Sequence, residues 1–421
     1  MTTAKITTAE EAIRIVKSGD LVILGTGCAE PQTLVAALIR QRDRLEGVRL
    51  LTMIPAGSCE YAAPEMVSHF QVSTFVGGGG LYSAQREGRI DYIPCNLSEI
   101  PRLFANGYIC PDVALIQVSP PDEHGFCTFG ISVDYIKAAT AVAKFVVAEI
   151  NDRMPRTCGD TRIHLSEIDF AVESSLPLTF VESPSQLNEV ESAIGAIVAG
   201  LIPDGSTIQV GIGGIPDAVL RSLRNRRDLR MHTGILPDGV LELVRSGALA
   251  PIGAGRTPIV ATIAEGSQQL YDYMHNNPAV ELHPCNYTHH ASTLAQITGL
   301  VSVNSAVQID LTGQVNAEFV GGIQISGVGG QIDFIRGASL APEGKSVVAL
   351  QSTASRGQVS RIVAKLPEGC AVTTPRHDVH FVVTEFGVAD LRGKSLRERA
   401  RALAAIAHPG FRAQLLTEVN G

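Results

Sequence analysis

Two stretches of similar pattern, Ser18–Gly27 (SGDLVILGTG) and Asp204–Gly213 (DGSTIQVGIG), decide the fold class. Each begins with a polar turn, continues as a short apolar run and ends in glycines, and each apolar run has the length of a buried strand. A helical pattern follows each of them, near Pro31 in the first copy and near Pro216 in the second. Strand, glycine turn and helix in succession predict an α/β architecture with a mostly parallel sheet.

The repeat extends further along the chain. The strand pattern Val48–Met53 matches Leu229–Thr233, and Val113–Val118 matches Ser305–Asp310. Because three matched pieces occur in the same order, we expect two similar open α/β domains that arose as copies of one pattern.

A boundary between the copies is expected in Ser174–Asn188, which is polar, contains two prolines and has little periodicity. A chain of 421 residues is long enough for two domains, each with its own core. We therefore predict an N-terminal domain at 1–183 and a C-terminal domain at 184–421.

The composition excludes some classes of partner. A net charge of −8 leaves no basic surface for nucleic acid, and the Arg224–Arg227 cluster is typical of a solvated helix face. The N-terminal residues lack the apolar core of a signal peptide, and no apolar run approaches the ~18 residues of a membrane span. The eight scattered cysteines contain no CxxC pair, which fits reduced thiols. We expect a cytoplasmic protein that binds neither nucleic acid nor membrane.

A second glycine-rich stretch, Leu311–Gly337, contains seven glycines among apolar residues. This mixture predicts short buried strands joined by turns where a ligand or another backbone approaches closely. Consecutive glycines leave backbone N–H groups uncovered, so they can point at an anion or an oxyanion. The predicted donors are the backbone amides of Gly327, Gly329, Gly330 and Gln331. A glycine-rich β-turn without function is the alternative.

The segment Gly211–Pro216 follows a strand and opens a helix, as a dinucleotide-binding turn does. It fails that pattern, because the third glycine of GxGxxG falls at Pro216, and in the first copy it falls at Glu30. The N–H groups of Gly211 and Gly213 still suit a carboxylate or a phosphate.

Metal and hydrolase-triad chemistry find little support. His377 and His380 lie three apart beside a strand-like run, so their side chains face opposite ways, and His289-His290 is typical of a polar loop. No GxSxG occurs. We predict no metal site.

Several motifs together resemble the acetyl-CoA hydrolase/transferase family of class I CoA-transferases. They are spread over essentially the whole chain: Ser119–Gly125, Met154–Thr157, Gly211–Ala218, Asp310–Val315, Ser326–Phe334, Ser360–Val363 and His380–Gly387. The resemblance implies two domains of the CoA-transferase α/β fold with the active site in the cleft between them. It also implies acyl-CoA and short carboxylic acids as substrates, no permanently bound cofactor, and a homodimer or homotetramer.

The resemblance further implies a nucleophilic glutamate that carries coenzyme A as a glutamyl thioester. In many members it lies in a His-Thr-Glu run, but this chain reads His232-Thr233-Gly234. The segment that corresponds to it in the first copy ends at Glu60, and a butyryl/itaconate-type subgroup resembles that arrangement. We hypothesise that Glu60 is the nucleophile.

Three alternatives to this hypothesis remain. In the first, Glu60 is an ordinary surface acid. In the other two, the nucleophile is Glu318 or Glu30. Glu30 is also a candidate for capping the helix that begins near Pro31.

The substrate is less readable from the residues. Met53 and Tyr61 lie close to Glu60 in sequence and are expected to line an acyl pocket. Arg86 is a candidate for binding a distal carboxylate, with an exposed helix arginine as its alternative. Resemblance favours a short acyl group of the itaconate/succinate or butyrate/4-hydroxybutyrate type. Thioester hydrolysis, or CoA binding without catalysis, are the competing functions.

Overall fold

The structure is a computed structural model that describes residues 4–181, 187–250 and 257–420. Two compact units divide the chain: Met1–Val181 with Val260–Thr288, and Glu182–Ile259 with His289–Gly421. The change of unit near residue 181 falls within the polar segment singled out from the sequence. The predicted division at 183/184 places Val260–Thr288 in the C-terminal domain, whereas the contacts place it in the first unit.

The secondary structure alternates between strands and helices along most of the chain. The strands are β1 Lys5–Ile6, β2 Leu21–Leu24, β3 Val48–Thr52, β4 Phe70–Thr74, β5 Ile90–Tyr92, β6 Val113–Val118, β7 Phe126–Thr128, β8 Phe145–Asn151, β9 Cys158–Gly159, β10 Arg162–His164, β11 Phe170–Ser174, β12 Thr207–Val210, β13 Arg230–His232, β14 Ile235–Pro237, β15 Ile259–Ala261, β16 Ile263–Glu265, β17 Val280–Leu282, β18 Leu300–Ser305, β19 Gln308–Asp310, β20 Val315–Asn316, β21 Phe319–Val320, β22 Ile323–Gln324, β23 Lys345–Ala349, β24 Thr353–Ala354, β25 Val359–Ser360, β26 Ile362–Val363, β27 Phe381–Thr384 and β28 Gly387–Asp390.

The helices are α1 Ala9–Ala12, α2 Gln32–Arg40, α3 Tyr82–Arg86, α4 Ile100–Ala105, α5 Ile136–Val142, α6 Glu189–Gly200, α7 Gly214–Ser222, α8 Val240–Ser246, α9 Gln268–Met274, α10 Cys285–Thr288, α11 Ala291–Leu294, α12 Gln331–Leu340, α13 Leu396–Ile406 and α14 Pro409–Asn420. Within the described ranges, no helix is both long and apolar enough to cross a membrane.

The first unit is built on a parallel sheet in the order β1-β11-β8-β6-β2-β3-β4-β5. Val22, in the central strand β2, pairs with Leu50 on one side and with Val113 on the other. Such a strand is covered on both faces, which explains its continuous apolar sequence. The chain leaves β2 towards β3 and leaves β6 towards β8, in opposite directions. The carboxyl ends of β2 and β6 therefore flank a topological switch point, where open α/β sheets bind ligands.

The second unit repeats this arrangement with the order β28-β27-β23-β18-β12-β13. These strands are parallel except for β28, which runs antiparallel to β27. Its switch point lies between β12 and β18. The α/β fold class with parallel sheets is confirmed.

One of the three matched pieces was placed wrongly. The strand beside β12 that corresponds to β6 is β18, whereas β19 belongs to a separate small sheet with β20 and β26. Both β18 and β19 are short, partly apolar strands only a few residues apart. The hydrogen-bond pairing distinguishes them, and the sequence pattern does not.

The glycine-rich stretch Leu311–Gly337 forms β20, the hairpin β21–β22 and most of α12. The hairpin turns at Gly321 and Gly322, which both have positive φ. The expectation of buried strands is wrong for this hairpin, because Val320 is 50% exposed and its neighbours are only partly covered. Two residues per strand are too few to form a covered layer of their own.

Candidate active site

The loop after β3 in the first unit carries Glu60 and has an unusual backbone. Ile54 and Cys59 have φ values of 40° and 52°, in the left-handed region. A β-branched residue is rarely found there, and such strain persists only where the surroundings fix it. The surroundings do fix it, because the amide of Ile54 donates to the carbonyl of Val76 at 2.9 Å. On the far side, a Cβ on Gly80 would lie 2.6 Å from the Cys59 sulfur, so the two loops are closely packed.

Glu60 is the first residue of a 3-10 turn, Glu60–Ala62, and its side chain is exposed between the buried Cys59 and Tyr61. Within residues 4–181, no side chain or amide is seen to donate to its carboxylate. Arg89 holds the end of this turn, since its guanidinium donates a hydrogen bond to the carbonyl of Ala62. The carboxylate is accessible at the end of a rigid loop, as a nucleophile requires.

The predicted acyl-pocket residues beside Glu60 are packed into the unit. Met53 is 2% and Tyr61 1% exposed. The Tyr61 hydroxyl lies 3.4 Å from a carboxylate oxygen of Glu30 and 3.6 Å from the Cys59 sulfur. Both side chains are buried in this structure, and their role in substrate binding stays a prediction.

Arg86 ends α3 on the surface, where its guanidinium lies 5.9 Å from the centre of the exposed Tyr82 ring. The structure gives it a surface stacking partner. It is Arg89 that reaches the turn bearing Glu60, and no feature of the sequence distinguishes these two arginines. Binding of a distal carboxylate by Arg86 stays a prediction.

Glu30 lies at the switch point of the first unit and is only 1% exposed. Burial raises the pKa of its carboxyl to about 7. One carboxylate oxygen lies near the Tyr61 hydroxyl, and the other, Oε1, has no hydrogen-bond partner among the residues that the structure describes. That oxygen faces the loop of Glu60, because a Cβ on Gly57 would lie 3.0 Å from it.

The suggestion that Glu30 caps the helix near Pro31 is wrong. The N-terminus of α2 is bound by Glu149 from β8, whose carboxylate accepts hydrogen bonds from the Thr33 amide at 2.9 Å and the Thr33 hydroxyl at 2.7 Å. Glu30 precedes the helix and turns into the interior, and the Gln117 amide donates to its backbone carbonyl at 3.1 Å. A carboxylate from a neighbouring strand thus takes the capping position.

Glu265, at the end of β16, is a buried acid that the sequence analysis missed. It is 6% exposed, and burial alone raises the pKa of its carboxyl to about 7. Its Oε1 lies 2.8 Å from the position of a Cβ on Gly27, in the turn after β2. The local sequence carries only a weak signal for it, an acid followed by Gly266 after a short apolar run.

In the second unit, the loop after β12 leaves backbone groups uncovered. Gly213 precedes α7 with φ 107°, a conformation that favours glycine, and Gly213 itself is exposed. A Cβ on Gly211 or Gly213 would meet no atom of the described residues within 4 Å. Open space in front of a helix N-terminus is suited to an anionic group.

The other predicted donors precede and begin α12. Gly327, Gly329 and Gly330 are partly covered, and Gly330 occupies the N-cap position of this ten-residue helix. The Gln331 side-chain amide donates to the Thr374 hydroxyl at 3.1 Å, so its backbone amide is the group left for a ligand.

Gly234, where the usual nucleophile is absent, lies in the short loop between β13 and β14. The neighbouring Thr233 hydroxyl donates to the carbonyl of Val210 at 2.7 Å, which joins this loop to the end of β12. The His289 ring lies on the other side, with Nε2 2.8 Å from a Cβ position on Gly234 and 2.5 Å from one on Gly330. The structure therefore brings residues 233–234 and the start of α12 together around one histidine, and Thr233 links this group to the end of β12.

The interpretation of His289-His290 as a polar loop is wrong for His289, which is 1% exposed. Burial, together with the neighbouring His232, lowers the pKa of its imidazole to about 3, so the ring is neutral at physiological pH. His290 is exposed and its ring accepts a hydrogen bond from the Ser292 amide at the start of α11.

Two further residues named from the sequence, Glu318 and His380, lie in the second unit. Glu318 is 9% exposed, and burial raises the pKa of its carboxyl. His380 stacks on Phe381 with ring centres 3.9 Å apart. In the parts of the chain that the structure describes, no group of three or more His, Cys, Asp or Glu side chains is arranged to hold a metal ion.

Comparisons with known proteins cover nearly the whole chain. Residues 2–182 match the model of the acetyl-CoA hydrolase/transferase N-terminal domain, and residues 266–419 match that of the C-terminal domain. The chain is 47% identical to a 4-hydroxybutyrate coenzyme A transferase of Clostridium kluyveri, over 98% of this chain and 97% of that protein. It is 40% identical to a succinyl-CoA:cyclohexane-1-carboxylate CoA transferase of Geobacter metallireducens, over 98% and 94%. The crystal structure of RipA from Yersinia pestis superposes with a TM-score of 0.92 at 35% identity, covering 99% of this chain and 97% of that one.

Proposed function

The chain belongs to the acetyl-CoA hydrolase/transferase family, as its motifs predicted, and from this premise we propose that it transfers coenzyme A from a short-chain acyl-CoA to a carboxylic acid. The expectation of a CoA-transferase enzyme is confirmed by relatives with that name over the whole chain. The reaction path and the acyl group belong to the proposal. The observation that carries it is the exposed Glu60 carboxylate on a strained and anchored loop.

In the first half-reaction, a Glu60 carboxylate oxygen attacks the thioester carbonyl, and the C–S bond breaks. This gives a mixed anhydride and the CoA thiolate. The thiolate then attacks the glutamyl carbonyl, which forms a glutamyl-CoA thioester and releases the first acid as its carboxylate. The covalent intermediate keeps the thioester energy that water would otherwise discharge.

In the second half-reaction, the acceptor carboxylate attacks the glutamyl-CoA carbonyl and expels the CoA thiolate. The thiolate then attacks the acyl carbonyl of the new anhydride, which releases the new acyl-CoA and restores Glu60. Each step passes through a tetrahedral oxyanion. The backbone amides of Gly327, Gly329, Gly330 and Gln331 are our candidates for stabilising it, at about 3 kcal/mol per well-placed donor.

The loop after β12 is our candidate for binding an anionic part of the substrate. Gly211 and Gly213 present open backbone groups there, next to the N-terminus of α7. Contacts to a part of the substrate far from the thioester can help to lower the barrier of the chemical step, so losing them would reduce the reaction rate as well as the affinity.

For the substrate we propose a short acyl group of the succinate/itaconate or butyrate/4-hydroxybutyrate type. The names of the relatives include 4-hydroxybutyrate and succinyl-CoA. Itaconate rests only on the resemblance at Gly234 and Glu60. Transfer rates from succinyl-CoA and butyryl-CoA to a panel of succinate, itaconate, acetate and butyrate will rank these acids.

Trapping the intermediate tests the nucleophile. Enzyme loaded with acyl-CoA is treated with borohydride, which reduces a glutamyl thioester to an alcohol, and the modified peptide is identified by mass spectrometry. We expect the modification at Glu60, and its loss in Glu60→Gln with loss of transfer. The neighbouring exposed acid gives the matched control, Glu65→Gln, which should keep both. Modification at Glu318, Glu30 or Glu265 would overturn the assignment.

Thioester hydrolysis is the second candidate, because the Glu60 side chain is exposed to water in this chain. Release of CoA from acyl-CoA without any acceptor acid distinguishes hydrolysis from transfer. A protein that binds acyl-CoA but transfers to no acid of the panel would instead fit the non-catalytic alternative that Gly234 suggested.

A further inference from the structure

The space beside Gly234 is occupied. A Cβ on residue 234 would lie 2.8 Å from Nε2 and 3.2 Å from Cε1 of His289, and 3.7 Å from Cε2 of Phe334. Real Cβ atoms essentially never approach a ring atom within 3.0 Å. The position that bears the usual carboxylate in similar enzymes is thus closed to any side chain while the histidine stays in place.

The same edge of the imidazole ring also meets Gly330. A Cβ there would lie 2.5 Å from Nε2, and Cδ2 is close as well. Gly234 faces the Cε1 side of Nε2 and Gly330 faces the Cδ2 side, so the ring edge lies between the two glycines. Phe334, in the first turn of α12, packs against the ring with centres 4.6 Å apart. The buried ring therefore has little room to move away from either glycine.

We propose that His289 is a positioning residue whose ring takes the space of the side chain that residue 234 lacks and holds the loop after β13 against the start of α12. The inference has two consequences. Glycine at 234 and histidine at 289 form a coupled pair, and substituting one changes what the other position tolerates. The backbone amides at the start of α12 also depend on His289 for their place.

This inference deepens the proposed function and partly rests on it. A closed position 234 explains why the attacking carboxylate has to come from elsewhere in the chain. If the amides of Gly330 and Gln331 contact the thioester oxygen, a loosened α12 N-terminus lowers the rate of the chemical step more than the binding of acyl-CoA.

The coupling is tested by thermal unfolding of the full chain in four forms: wild type, Gly234→Ala, His289→Ala and the double variant. We expect Gly234→Ala alone to lower Tm by roughly 2–10 °C, because it overpacks a buried contact. In the His289→Ala background the same methyl group enters the vacated space, and we expect the change to be less than about 2 °C. Equal decreases in the two backgrounds would overturn the inference.

Two further variants serve as a control and as a replacement in this experiment. Gly200→Ala is a matched control, because a Cβ there meets no atom within 4 Å in the described part of the chain, and we expect no loss of Tm. His289→Asn replaces His289→Ala if the alanine variant does not fold, since asparagine is polar and smaller than imidazole. With asparagine we expect the same reduced effect of Gly234→Ala.

Steady-state kinetics separate positioning from simple support of the fold. For folded His289→Ala or His289→Asn we expect kcat to fall about 10- to 1,000-fold, with KM for acyl-CoA within about threefold. An unchanged kcat well below Tm would overturn the positioning role. The unfolding experiment does not depend on activity. If the Tm changes of Gly234→Ala and His289→Ala simply add in the double variant, the inference is refuted and the proposed function is not affected. A wild-type enzyme that takes no borohydride label at Glu60 would refute the proposed nucleophile and leave the inference about His289 untouched.

Discussion

The substitution Glu265→Gln tests how much the buried carboxyl group of Glu265 costs in stability. Glu265 is the last residue of β16 and is 6% exposed, and its carboxyl group lies against the turn at Gly27. No described residue is seen to donate a hydrogen bond to it, and burial is the sole cause of its raised pKa. Glutamine has nearly the same shape but carries no charge. The substitution therefore removes the cost of a buried charge without emptying the site.

The magnitude follows from the two pKa values. The carboxyl has an ordinary pKa of 4.5 and one of about 7 in the folded unit, a difference that corresponds to about 3 kcal/mol. Because the folded pKa is the higher one, the folded state keeps a proton that the unfolded state loses between pH 4.5 and 7. Stability therefore falls as pH rises through this window, and the full cost is present above pH 7.

We expect Glu265→Gln to raise the stability of the first unit by up to about 3 kcal/mol at pH 8, or roughly 6–12 °C in Tm, and to change it little at pH 4. The assay is thermal unfolding of the full chain at pH 4, 6 and 8. Glu65→Gln, at an exposed acid of the same unit, is the control and should be neutral at each pH. Parallel Tm curves for wild type and Glu265→Gln across this range would refute the reasoning.

Three further predictions concern single contacts. Glu149→Ala should destabilise the first unit by about 1–3 kcal/mol, measured by urea unfolding, because the α2 N-terminus loses charged hydrogen bonds at Thr33; an unchanged midpoint would contradict this capping role. Gly213→Ala should cost about 1–3 kcal/mol, because φ is 107° there, while Gly200→Ala in the same assay should cost nothing. Gly234→Glu should neither fold stably nor restore transfer to Glu60→Gln, and full activity in that double variant would show that position 234 is open.

Much of the architecture could be predicted from local patterns. The repeated run of strand, glycine turn and helix at Ser18–Gly27 and Asp204–Gly213 predicted parallel α/β units, because periodicity and glycine placement act within a few residues. The repeat also indicated Glu60 as the acid of the first-copy segment that corresponds to Leu229–Gly234, and its role as the nucleophile stays a prediction. The change of unit near residue 181 falls in Ser174–Asn188, the polar stretch with two prolines.

Other features depended on residues far apart in the chain. Glu149 caps α2 across 116 positions of sequence, which displaced Glu30 from that role. The strand that corresponds to β6 was fixed by pairing between β12 and β18, and not by the pattern of its own residues. Val260–Thr288 joined the first unit in the same way, through contacts that its composition does not encode.

The sequence by itself determined the fold class, the family and the absence of a carboxylate at Gly234, because these are properties of residue order. The tertiary structure alone decided which acids are buried and what fills the space at 234. Burial of Glu30 and Glu265, and the approach of His289 to two glycines, arise where separate segments pack together. Desolvation and steric exclusion depend on every atom that surrounds a group, and folding is what brings those atoms together.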